Sequence, residues 1–76
     1  MKAYVLIKTR AGEIKEVVKQ LRSLEGVTEA HMTFGPFDVV AEVETPDVAR
    51  LGAITASGIQ PIPGVEQTLT CLAVDL

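Results

Sequence analysis

A chain of 76 residues is one small domain, a size at which a single core gives no more than about 3 to 5 kcal/mol and some further support is usual. Its lone cysteine excludes an internal disulfide, and one histidine beside it leaves too few soft ligands for a structural zinc site. Hydrophobic residues make up 47% of the chain, yet no apolar run approaches the roughly 18 residues of a membrane span; the net charge of −3, with basic residues scattered, excludes the footprint of nucleic-acid binding.

Residues 2–8 form the first predicted strand. Ala3, Val5 and Ile7 fall on one face and Tyr4 and Leu6 on the other, so both faces are apolar. This start shows none of the charge, apolar stretch and cleavage site of a signal peptide, which gives a cytoplasmic expectation. After Gly12, Glu13 stands where a helix N-terminus favours negative charge, and Ile14, Val17, Val18, Leu21 and Leu24 recur at helical spacing. The result is an amphipathic helix of about three turns, stopped by Gly26.

Residues 27–44 are a hairpin. Residues 27–33 alternate as a strand, residues 39–44 are β-branched and mostly apolar, and Gly35-Pro36 forces the reversal between them. Asp38 enters the second of these strands beside Phe34 and Phe37, either as an acceptor for turn amides or as part of a site. The second helix is announced by Thr45 as cap, Pro46 at the first position and Asp47 in the first turn, with Val48, Leu51 and Ile54 or Thr55 as its buried stripe and Gly58 as its end. A stiff loop over residues 59–64 follows. Residues 65–74 are then the last strand, with Thr68, Thr70, Leu72 and Val74 facing one way and Gln67, Leu69, Cys71 and Ala73 the other.

The order is βαββαβ, and Glu25-Gly26-Val27 is echoed by Pro63-Gly64-Val65. Right-handed crossovers put both helices on one face of an antiparallel sheet, the α+β ferredoxin-like arrangement, with strands one and three central. The opposite face lacks a helix and is apolar in several strands. A partner sheet is its simplest cover, which predicts a homodimer at least.

Catalytic signals are weak: no nucleophile elbow, no phosphate loop and no paired-histidine spacing occur. His31 reads as a surface or interface residue and Cys71 as a small buried hydrophobe. Gly35, Asp38, Thr68 and Thr70 are the only constellation suited to a polar ligand, although two threonines on a half-exposed strand are as ordinary as they are suggestive.

Gly35-Pro36-Phe37-Asp38, His31 four residues before the glycine, and Ile62-Pro63-Gly64-Val65 followed by Thr68-x-Thr70 together resemble the effector domain of the Lrp/AsnC regulators, the RAM domain. The resemblance covers the whole chain as one ligand-binding domain, residues 1–76. It implies amino-acid sensing without a cofactor, dimers that pair through their sheets, and further assembly into rings. It also implies a ligand held between subunits, with Gly35 offering backbone amides, Phe37 an apolar wall, Asp38 an ammonium acceptor or a turn brace, and Thr68 and Thr70 their hydroxyls. The family's regulators carry an N-terminal helix-turn-helix, whereas here a strand starts at Met1; the expectation is a stand-alone module that does not bind DNA directly and can pair with full-length relatives. A ligand-free adaptor and a small dimeric α+β barrel enzyme are the competing readings, the latter disfavoured by few His, Tyr, Trp and Arg residues.

Overall fold

The computed structural model describes residues 1–75. In β1 (Lys2–Thr9) the alternation sorts side chains as expected: Ala3, Val5 and Ile7 are buried, while Tyr4 stays 40% exposed on the other face. α1 (Ile14–Arg22) buries Val17, Val18 and Leu21 of the stripe its spacing predicts, but it is capped by Ser23, so Leu24 packs partly buried against the core from beyond the helix end. β2 (Val27–Met32) and β3 (Val39–Glu44) form the hairpin, with Val39, Ala41 and Val43 completely buried in the inner strand. α2 (Val48–Ala53) continues into a π-helical turn (Ile54–Ile59), and β4 (Val65–Leu72) closes the order βαββαβ.

The four strands make one antiparallel sheet in the order β2-β3-β1-β4, so strands one and three are central and the fold is ferredoxin-like. Between sheet and helices lies a single core in which Val5, Ile7, Val17, Leu21, Val39, Val43 and Ile59 are the largest fully buried side chains. The two loop glycines of the internal echo share one backbone conformation, φ 97° at Gly26 and 98° at Gly64. Each lets its chain turn from helical packing into a strand, a left-handed step that a side chain resists.

The second helix departs from its expected bounds. Asp47, not Thr45, is the cap: it is extended (φ −157°) and its carboxylate accepts the Arg50 N–H at 2.8 Å. Thr45 is instead buried, its hydroxyl donating to the Asp47 carbonyl at 3.1 Å. Val48 thereby becomes the first helical residue and stands 61% exposed rather than in the stripe. Gly58 does not end the helix: the Thr55 hydroxyl lies within bonding distance of the carbonyls of Leu51 (3.1 Å) and Gly52 (3.0 Å), and the ladder runs wide until the Gln60 N–H returns to the Thr55 carbonyl. The extra turn carries Ile59, expected in a loop, into the core.

Candidate functional site

The sheet register lays out the helix-free face as two rows. His31, Val40, Leu6 and Leu69 stand side by side across β2, β3, β1 and β4; the next row runs Glu29, Glu42, Tyr4, Cys71. Cys71 is thus exposed on this face of an edge strand, not buried as its apolar neighbours suggest. His31 Nε2 lies 3.0 Å from Glu29 Oε1, and Lys2 Nζ lies 3.3 Å from Glu42 Oε1. The hydrogen bond to His31 holds the Glu29 carboxyl below its usual range, and the bond to Glu42 raises the Lys2 ammonium above its own. Charges therefore flank an apolar centre made by Tyr4, Leu6, Val40 and Leu69.

The turn between β2 and β3 is built from both ends. The Thr33 N–H donates to the Asp38 carbonyl (2.9 Å), and the Thr33 hydroxyl donates to the Phe37 carbonyl (2.8 Å). The Asp38 N–H continues the sheet onto the Ile7 carbonyl (2.9 Å), while Asp38 Oδ2 accepts the Thr9 N–H at 2.8 Å. Lys8 Nζ adds a bond to the Pro36 carbonyl at 3.1 Å. Gly35, at φ 149°, sits at the tip in open space, and Phe34 beside it is fully exposed. Asp38 is accordingly a brace between the hairpin and the end of β1, and its second oxygen is free of the Thr9 bonds. Thr9 itself was not singled out from the sequence. It lies 29 positions upstream of Asp38, and only its place at the end of an alternating strand marks it.

Thr68 and Thr70 lie elsewhere. They pair with Ile7 and Val5 and so face the helix side, at the edge that β4 forms. Gln60 Nε2 donates to Thr68 Oγ1 at 3.3 Å, and the hollow beside Thr68 is lined by Gln60, Val65, Glu66 and Gln67 with no residue of the turn. β1 stands between β3 and β4, which separates the turn from the threonines by two strand spacings, about 10 Å. One protomer brings Gly35, Phe37 and Asp38 together and sets Thr68 and Thr70 two strands away from them.

Against known proteins, residues 2–75 match the Lrp/AsnC ligand binding domain. The chain belongs to that family. It is 35% identical over 74 residues to the HTH-type transcriptional regulator FL11 of Pyrococcus abyssi (strain GE5 / Orsay), covering 97% of this chain and 48% of that protein. The chain spans about half the length of the curated relatives it matches. The solved structure of TTHA0845 from Thermus thermophilus superposes with a TM-score of 0.94 at 35% identity, over 99% of this chain and 94% of that one. The transcriptional regulator NMB0573 of Neisseria meningitidis, solved as its L-Met complex, shares the fold at a TM-score of 0.87 and 14% identity, over 97% of this chain and 49% of that chain. The Lrp/AsnC effector fold thus accounts for both helices and all four strands.

Proposed function

We propose that the chain is an amino-acid-sensing and oligomerising module that acts in transcription regulation, not an enzyme, and that it works in the cytoplasm. The observation that carries this reading is the match of a ligand binding domain to residues 2–75. Two structural features support it. The helix-free face presents Leu6, Val40 and Leu69 in one row, an apolar strip suited to a second copy's sheet. The turn's hydrogen bonds fix Phe37 and Asp38 at the end of that sheet, and the space a Gly35 side chain would take is open.

In this reading the ligand lies between chains, and assembly into dimers and then rings brings one chain's turn toward Thr68 and Thr70 of another. An amino acid needs acceptors for its ammonium and donors for its carboxylate; the free Asp38 oxygen supplies the first, and the Gly35 N–H with the two hydroxyls supplies the second. A ligand that bridges chains favours the assembled form by mass action. Titration calorimetry with the natural amino acids, run beside sedimentation velocity, tests both halves. Binding at or below millimolar Kd with a shift toward larger species is expected; no heat with any amino acid at millimolar concentration defeats sensing.

A ligand-free module that pairs with full-length relatives is the second reading, favoured by one fact. The Asp38 carboxylate already has a structural partner in Thr9. Co-expression with a full-length relative would then give mixed oligomers whose stability is indifferent to amino acids.

A further inference from the structure

A second surface, on the opposite side of the sheet from the apolar strip, is also unpartnered. β2 is an edge strand, and α1 runs beside it, leaving between them a groove of about 320 Å³ lined by Ile14, Lys15, Val18, Lys19, Arg22 and Met32. Its floor is apolar, with Met32 still 57% exposed. Its rim is cationic: Lys15, Lys19 and Arg22 fall at positions i, i+4 and i+7, one stripe of α1, and no acidic residue lines the groove. Among the described residues none of these three is ion-paired. Three of the seven basic residues of a chain with net charge −3 are therefore gathered, unneutralised, along one groove.

The strand beside it can accept another. Arg22 donates from Nε (3.0 Å) and Nη2 (2.7 Å) to the Ala30 carbonyl, which shows that this carbonyl points away from β3. Alternation along an antiparallel strand turns the amide and carbonyl of Met32 the same way. We propose that the β2 edge and the α1 groove form a docking surface for an extended, acidic segment of a partner protein. The segment adds a strand to β2, and every second residue, the row turned toward α1, supplies both apolar side chains to Ile14, Val18 and Met32 and carboxylates to Lys15, Lys19 and Arg22.

Charge selects this occupant. A second copy's β2 edge would bring the same three cations against these, a repulsion of the kind that keeps exposed edges from self-pairing. Within the groove an acidic strand meets only opposite charge, and Arg22 can release the Ala30 carbonyl to a backbone N–H while its guanidinium swings to a carboxylate.

The test uses the chain in solution, a short peptide of the repeat Val-Thr-Glu-Thr, which as a strand puts valine and glutamate on one face, and amide chemical-shift mapping. Saturable shifts at Ala30, Met32 and the α1 stripe that weaken as salt rises are expected, along with none for the same peptide carrying lysine in place of glutamate. The double variant Lys15→Glu/Lys19→Glu, both positions being solvent-exposed, should keep the far-UV spectrum and lose at least about tenfold in affinity. No shift at millimolar peptide overturns the proposal. So does mapping to Leu6, Val40 and Leu69 instead, or binding unchanged in the double variant. Octanoate that reproduces the groove shifts without moving the Ala30 and Met32 amides, with the peptide silent, would assign the groove to small amphiphilic anions and overturn the strand partner.

Discussion

At the scale of single residues, Asp38 shows how a side chain can be conspicuous in the sequence while its role is not. Its position after Gly35-Pro36-Phe37 marks it as either turn acceptor or ligand acceptor, and both remain chemically available. Only the fold reveals that Thr9, distant in sequence and nearly buried, donates its N–H to it at 2.8 Å. The two roles respond differently to substitution. Asp38→Ala orphans that amide and should cost about 1 to 3 kcal/mol in urea denaturation. Asp38→Asn retains an acceptor oxygen, so stability should stay within about 1 kcal/mol of wild type. If the asparagine variant also binds amino acids as well as wild type, Asp38 contributes only the brace. Gly64 gives a second residue-level expectation. At φ 98° any side chain is strained, and a Cβ there would press on Glu13 and on Val17 Cγ2 at 3.2 Å. Gly64→Ala is expected to destabilise by about 1 to 3 kcal/mol, read as a lower urea midpoint with an unchanged slope.

Elements were legible where a periodic pattern met a terminating residue. β1, α1 and β3 follow their apolar spacing because tertiary packing asks of them what local pattern already prefers. The second helix was not so legible. Thr45 and Asp47 are both good caps two positions apart, and the sequence alone does not rank them; the buried environment of Thr45 decides the matter. Its far end is hidden for a different reason. Gly58 and the prolines at 61 and 63 read as breakers, but a π-helical widening passes through Gly58 and buries Ile59. Asp47→Ala should therefore loosen α2 selectively, costing about 1 kcal/mol and speeding amide exchange at Arg50 ahead of the sheet. Uniform acceleration across both helices would instead show that α2 unfolds only with the whole domain. The candidate site divides along the same line: its turn residues are contiguous and could be found by eye, whereas the separation of Thr68 and Thr70 from them is a matter of strand order, with β1 between β3 and β4.

For the whole molecule the decisive fact is that the helices cover one side of the sheet while the other presents apolar residues framed by charge. The frame sets a pH window. Glu29 is held below the usual carboxylate range by His31, so its stabilising contribution is complete above that range and disappears as pH falls through its lowered folded value. Lys2 is held above the usual lysine range by Glu42, and its contribution is complete below that range and disappears as pH rises through its raised value. Both contributions are present near neutrality, and both are small because the side chains are solvated. In the proposed assembly, association through the apolar strip is the larger effect. A monomer this small has little core to spend, and Leu69 at 51% exposure gains nothing from water. In sedimentation equilibrium the wild-type chain should be at least dimeric at micromolar concentration. Leu69→Asp should raise the dimer Kd by about 30-fold or more, the equivalent of about 2 kcal/mol for a central interface side chain, and leave the far-UV spectrum of the protomer unchanged because the position is exposed within it. A stable, soluble wild-type monomer at that concentration would refute the assembly itself, and an unaltered Leu69→Asp dimer would move the interface off this face.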